Sequence, residues 1–199
     1  MTLARYKGKR NFSKTPEPEG KKQKGSKDLI FVIQKHNATN LHYDFRLEVD
    51  GVLKSWAVPK GPSLNPADKR LAMMVEDHPF DYKDFEGVIP KNEYGGGEVI
   101  IWDTGTYHEL TTEDRIESEK LMHEGLEKGQ IKFVLNGKKL KGEFALVKMK
   151  GKMANAGLLI KHKDSYASQN NILEQDKSVI SGLTIEDLQH GIIKKKPVH

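Results

Sequence analysis

The stretch Leu41 to Val58, "LHYDFRLEVDGVLKSWAV", decides the fold class. In its first half Leu41, Tyr43, Phe45, Leu47 and Val49 alternate with His42, Asp44, Arg46 and Glu48, the period of two that belongs to a strand with one apolar side. Asp50-Gly51 then supplies the chemistry of a two-residue hairpin turn, and the chain returns as a second strand closed by Pro59. Upstream, "DLIFVIQKH" (28–36) is a β-branched and aromatic run, joined by the short connection "NATN" (37–40), which folds His36 back beside His42.

Downstream, "RLAMMVEDH" (70–78) reads as one more strand, whose even-numbered side carries Arg70, Glu76 and His78. "GGGEVIIWDTGTYHEL" (95–110) predicts two strands around an Asp103-Thr104-Gly105 turn, and "QIKFVLNGKKLKGEFALVKMK" (130–150) and "AGLLIKHKD" (156–164) complete the set. A helix is expected over Thr112 to Lys128, with a Thr cap, early acids, a Gly stop and Ile116, Leu121, Met122 and Leu126 for its apolar face. "TIEDLQHGI" (184–192) predicts a short C-terminal helix opened by Thr184. Many strands with few helices predict a mainly β (α+β) protein, a small closed or nearly closed β-barrel with a few flanking helices.

The chain of 199 residues is long enough for one such domain, and it contains no cysteine. Disulfides and thiolate metal sites are thereby excluded, so a metal here must be held by imidazole and carboxylate, a set that suits manganese, zinc or iron. No apolar run approaches membrane-spanning length and "MTLARYKGKR" lacks the apolar core of a signal peptide, so the expected location is cytoplasmic, with no membrane partner. The net charge of +5 is unevenly spread: residues 1–27 hold nine Lys/Arg against Glu17 and Glu19, and the rest is close to neutral. With the Pro- and Gly-containing "KTPEPEGKKQKGSK" (14–27), this reads as a basic, partly flexible N-terminal arm ahead of a domain over 28–199. Such an arm is suited to phosphate backbones, and the same composition also fits a solvated tail.

On a strand, His42, Asp44 and Arg46 project to one side. With His36 they give two imidazoles and a carboxylate on neighbouring strands, a facial metal site beside a guanidinium shaped to hold phosphate or carboxylate. The pattern alone also fits the solvated side of a sheet. In "EDHPFDYKDFEG" (76–87), His78 offers an imidazole able to protonate a leaving oxygen and Tyr82 a phenol able to donate to a phosphoryl oxygen. "YGGGEV" (94–99) lacks the Lys-Ser/Thr of a nucleotide-binding loop and reads as a bulge or a close backbone approach.

Taken together, "KRNFSKTPEPEG", "FVIQKHNATNLHYDFRLEVDGVLKSWAVPKGPS", "RLAMMVEDHPFDYKDFEGVIPKNEYGGGEVIIWDTGTY" and "LLIKHKDSYA" resemble the 3′-phosphoesterase module of bacterial DNA ligase D, from the arm to about Ala167. The resemblance implies a small β-barrel enzyme that depends on Mn²⁺, with Zn²⁺ or Co²⁺ as substitutes in the same ligand set. Its implied activity is removal of a 3′-terminal ribonucleoside and hydrolysis of the remaining 3′-phosphate to a 3′-hydroxyl during non-homologous end joining. It implies metal ligation by His36, His42 and Asp44, and places Arg46, His78 and Tyr82 around the scissile phosphate. Gln34, Lys60, Arg70 and Glu76 match further active-site positions, and Arg10 and Glu17 match functional residues of the arm. The implied partner is a DNA primer-template with a 3′ ribonucleotide or 3′-phosphate end, along with a separately encoded ligase, polymerase and end-bridging protein met in trans. Two positions depart from the pattern: Asn11 stands where Asp is usual, which weakens the expectation of ribonucleoside removal, and Gly157 where Trp is usual. The alternative of a different class is a non-catalytic DNA-end-binding scaffold that recruits a ligase or polymerase. A third is a hydrolase of small phosphodiesters.

Overall fold

The computed structural model describes residues 2–20, 27–151 and 153–192. Three strands follow the opening stretch: β1 (Leu29–Asn37), β2 (Leu41–Val49) and β3 (Val52–Val58). The β2–β3 turn is Asp50-Gly51 with φ of 56° and 71°, both in the left-handed region that a two-residue hairpin of this type demands. Then come β4 (Lys69–Met74), the two-residue β5 (His78–Pro79), β6 (Gly87–Ile89), β7 (Gly97–Glu109), β8 (Gln130–Gly137), β9 (Lys141–Lys148) and β10 (Ala156–Lys161). The sheet runs β1-β2-β3-β4-β10-β9-β8-β7, and β7 pairs back with β1, closing an eight-stranded antiparallel barrel; β6 adds to β7 and β5 to β3. The mainly β barrel expected from the strand pattern is what the chain forms.

The interior is filled by the odd-numbered side of β1 and β2 (Phe31, Ile33, Tyr43, Phe45, Leu47, Val49) together with Trp102, Phe133 and Phe144. The polar side of β2 therefore faces outward, yet it is not solvated: Asp44, Arg46 and Glu48 are all buried. A second apolar layer of Tyr6, Val32, Leu53, Tyr82, Phe85 and Ile89 lies over it. Tyr6 comes from a short N-terminal helix, α1 (Leu3–Gly8), and its hydroxyl donates to Pro18 O at 2.6 Å. Lys21, Lys22 and Lys24, part of the basic arm read from the sequence, lie outside the described residues.

Three expectations are corrected. The strand expected over 70–78 ends at Met74: the chain steps from pairing with Trp56 and Ala57 to pairing with Val52 and Leu53, held midway by Lys54 Nζ on Asp77 at 2.9 Å. Arg70 thus does not share a strand side with Glu76 and His78. The Asp103-Thr104-Gly105 turn is absent, because β7 runs straight through it; Ile33 faces Asp103 while Gln34 faces Ile101, so Trp102 is the extra residue of a bulge that bends the strand. The long helix, α2 (Arg115–Lys128), starts three residues later than expected because Asp114, not Thr112, accepts the Glu117 N–H at 2.8 Å. Its inward stripe runs through Ser118, whose Oγ accepts from Glu109 N at 2.6 Å, and Met122, leaving Ile116 76% exposed. The C-terminal helix, α3 (Ile185–Gln189), is opened by Thr184 with a full capping box and packs Ile185 and Leu188 on Ile100. No helix among the described residues is long and apolar enough to cross a membrane.

Candidate metal and phosphate site

His36 and His42 are directly opposite one another across β1 and β2, as Gln34 is opposite Asp44. Side chains on one face of such a pair meet, and the ligand atoms of His36, His42 and Asp44 all lie within 4.8 Å of one another. His36 Nδ1 is 3.4 Å from Asp44 Oδ2, and His42 Nε2 is 3.6 Å from Asp44 Oδ1. The far nitrogen of each ring is pinned to a backbone carbonyl: His36 Nε2 donates to Gly95 O at 2.8 Å and His42 Nδ1 to Asn40 O at 2.9 Å. These bonds fix the tautomers, so both lone pairs converge on a carboxylate, an arrangement that a cation between them stabilises. Burial opposes ionisation of Asp44, but the neighbouring Arg46 guanidinium leads the opposing interactions, which hold the carboxyl well below its ordinary range. Two imidazoles and an ionised carboxylate form a donor set that fits Mn²⁺, Zn²⁺ or Co²⁺.

Arg46 lies on the same face. Its Nε donates to Gln34 Oε1 at 2.7 Å and its Nη2 to Asp44 Oδ2 at 3.1 Å, and its Cζ lies 4.9 Å from the Tyr82 ring centre. Gln34 is itself fixed by donating to Tyr82 O and Phe85 O. The remaining Nη1 is buried with no acceptor among the described residues. A buried guanidinium with one free donor beside a metal-competent cluster is suited to an anionic oxygen.

The arm contributes Arg10 to the cavity wall. Arg10 Nε donates to Glu17 Oε1 at 2.8 Å, its Nη1 reaches Glu76 Oε1 at 3.4 Å, and its Nη2 lies 3.4 Å from His78 Nε2. His78 Nδ1 donates to Glu76 O at 3.0 Å, which leaves Nε2 as an acceptor for Arg10. Burial, then Arg46 and Arg10, push the His78 imidazole well below its ordinary value, so the free site holds it neutral rather than ready to give a proton. The Tyr82 hydroxyl donates to Glu17 Oε1 at 2.9 Å, and burial and that carboxylate raise it far above the usual phenol range. Tyr82 thus offers its ring to Arg46 and its hydroxyl to the arm. Lys9 Nζ bridges Glu76 Oε2 and Tyr94 OH, each at 3.0 Å.

These groups enclose a cavity of about 280 Å³ lined by Arg10, His36, His42, Asp44, Arg46, Glu76, His78 and Tyr82. Gln34 supports it from behind. Lys60 is exposed in the turn after β3, and Arg70 pairs with Asp68 at 2.8 Å; neither lines the cavity. Tyr94, Gly95 and Lys9 belong to the site although their residue types did not single them out. The glycine run did signal the close approach: a Cβ at Gly97 would stand 2.0 Å from Asn37 O. A larger cavity, about 530 Å³, is lined by Trp56, Met74 and Leu146 among others, with no carboxylate or imidazole, so the chemistry belongs to the smaller one.

Residues 34–148, which carry His36, His42, Asp44, Arg46 and His78, match the family described as the DNA ligase D 3′-phosphoesterase domain. The chain is 49% identical over 191 residues to the multifunctional non-homologous end joining protein LigD of Pseudomonas aeruginosa, an alignment covering 92% of this chain and 22% of that protein. It is 47% identical over 152 residues to the LigD protein of Mycolicibacterium smegmatis (75% and 19% covered) and 45% identical over 163 residues to that of Mycobacterium tuberculosis (81% and 20% covered). The chain spans about a fifth of the length of these relatives. On the matched span and these identities, the chain belongs to the DNA ligase D 3′-phosphoesterase domain family.

Proposed function

We propose that the chain is a metal-dependent phosphoesterase that heals 3′ ends of nucleic acid, removing a 3′-terminal ribonucleoside and hydrolysing the 3′-phosphate to a 3′-hydroxyl before ligation in double-strand break repair. The observation that carries this reading is the pair of backbone-pinned imidazoles converging on Asp44, next to an Arg46 whose Nη1 has no partner among the described residues. The end-joining names of the relatives support the choice of a DNA end as substrate and of a ligase as the protein that seals the product.

His36, His42 and Asp44 would hold the cation, with Mn²⁺ as the proposed ion and Zn²⁺ or Co²⁺ as substitutes. When bound, such an ion supplies Lewis-acid polarisation of a phosphoryl oxygen. Arg46, held in place by Gln34 and Asp44, directs Nη1 at a second non-bridging oxygen and stabilises the charge that grows there in the transition state. His78 accepts from Arg10 in the free site; a phosphate would offset the two guanidiniums that keep it neutral and let it carry a proton toward the leaving oxygen. Arg10 is oriented at the cavity wall by Glu17 and Glu76. Asn11 spends its Oδ1 on Ser13 N and Oγ, contacts that an aspartate would also make, so the local turn is kept in this chain.

The test is a gel assay with Mn²⁺ and two labelled primer-templates, one ending in a single 3′ ribonucleotide and one in a 3′-phosphate. The wild type is expected to convert both to 3′-hydroxyl, and His42→Ala, which removes one of three ligands, to lose at least ~10²-fold in rate, the scale of one preorganised group. Phosphate removal without ribonucleoside removal would assign the difference to Asn11. Unchanged ends in the wild type, with duplex still bound, would favour the scaffold.

A further inference from the structure

Tyr94 stands at the rim of the cavity that holds the metal cluster, and it is 46% exposed although it is a large aromatic residue in a well-packed protein. The next residue, Gly95, has φ of +75° and gives its carbonyl to His36 Nε2, so the Tyr94 backbone is one peptide away from the group that orients a metal ligand. The ring itself is steadied: its hydroxyl accepts from Lys9 Nζ at 3.0 Å, the Lys9 ammonium lies 4.5 Å from the ring centre, and the Arg10 guanidinium lies 5.3 Å from it. Lys9 and Arg10 are in turn tied to Glu76. An aromatic ring that is open to solvent, fixed at its polar end and flanked by two cations is the combination used to stack a nucleobase while its phosphate is neutralised.

We infer that Tyr94 is a substrate-binding residue, a stacking platform for the base of the 3′-terminal nucleotide whose phosphate enters the cavity. The inference rests on the 3′-end-healing reading above and adds to it how the end is gripped. Stacking on a ring face is tolerant of sequence, because every base has a π-face, and it suits an enzyme that must process ends of any sequence. With Lys9 and Arg10 at the same rim, the terminal nucleotide would be held by its base on Tyr94 and by its phosphate near Arg46, leaving the bond to be cleaved beside Asp44.

The experiment measures kcat and KM for phosphate release from two primer-templates, one carrying a 3′-phosphate on a normal nucleotide and one carrying it on an abasic residue. Wild type, Tyr94→Phe and Tyr94→Ala are compared on both. If Tyr94 stacks the base, the wild type should prefer the normal end by about tenfold in kcat/KM, within the range expected for one base on one ring, and mainly through KM. Tyr94→Phe should retain that preference, since it keeps the ring, and Tyr94→Ala should bring the ratio close to one. The same preference in Tyr94→Ala as in the wild type would overturn the inference while leaving the end-healing function intact. Loss of the preference in Tyr94→Phe as well would assign the effect to the hydroxyl and Lys9 and would also overturn it. No phosphate release from either end by the wild type would remove the end-healing reading, and the inference with it.

Discussion

His78 is the residue at which electrostatics and chemistry are most tightly joined. Its imidazole is buried, donates from Nδ1 to Glu76 O, and faces two guanidiniums, those of Arg10 and Arg46, with Asp44 the countering charge. Its folded-state pKa is therefore lowered from 6.5. A lowered histidine contributes stability that is complete above its unfolded value and is lost as pH falls below that value toward the folded one, because the unfolded chain then binds the extra proton. Below about pH 6.5 the protein, stripped of metal, should lose up to ~1.4 kcal/mol of stability per pH unit through this one group. Urea unfolding of wild type and His78→Gln between pH 5 and 7.5 reads it directly, and parallel pH curves for the two proteins would show that His78 is not held neutral. At this scale the site was largely legible: His36, His42, Asp44 and Arg46 sit where period two puts them. What residue types could not reveal was the partner of each group, such as the Gly95 carbonyl on His36 or Arg10 on His78, because those contacts join positions 59 and 68 residues apart.

Among the elements, the arm carries the most consequence. Its composition fits a phosphate-contacting arm and a solvated tail equally, but α1 buries Tyr6 completely against Phe12, His78 and Tyr82, at ring-centre distances of 5.9, 5.0 and 6.0 Å. Thr15 and Glu17 are buried behind it, with Thr15 Oγ1 donating to Glu17 Oε2 at 2.8 Å. The reason the sequence conceals this is that the cover consists of single residues spaced among lysines, with no periodic run to mark them. Because the polar side of β2 is roofed by this segment, Tyr6→Ala should cost about 3 kcal/mol, the scale of emptying a buried aromatic site. Tyr6→Phe, which gives up only the hydroxyl's bond to Pro18 O, should cost about 1 kcal/mol. Chemical denaturation measures both, and a Tyr6→Ala protein as stable as the wild type would mean that the arm does not belong to the cooperative unit. Both end-healing activities should fall together in Tyr6→Ala, since Arg10 and Glu17 lose their support.

For the molecule as a whole, the decisive feature is closure of the barrel between β1 and β7, which fills the interior mainly with apolar side chains and leaves His36, His42, Asp44 and Arg46 on the outer face of β1 and β2. That closure depends on β7 bending at Trp102, where the sequence shows Asp-Thr-Gly and turn chemistry is indistinguishable from bulge chemistry. What decides between them is Asp103. Its buried carboxylate accepts from Thr104 N at 3.0 Å, and from Lys138 N, Lys139 N and Leu140 N at 2.9, 3.1 and 2.8 Å, tying the bend in β7 to the turn between β8 and β9. Asp103→Ala would take the acceptor from four backbone donors, of which the Leu140 N–H lies in a buried place, at a cost of about 3 kcal/mol, whereas Asp103→Asn keeps one good acceptor oxygen and should cost less. Thermal or urea unfolding ranks the three proteins, and hydrogen exchange localises the effect, with faster exchange at residues 138–140 before the β1 and β2 amides respond. If Asp103→Ala unfolded like the wild type, the bend would be held by strand pairing alone. The His36, His42 and Asp44 cluster would then owe its geometry to β1 and β2 without help from the seam.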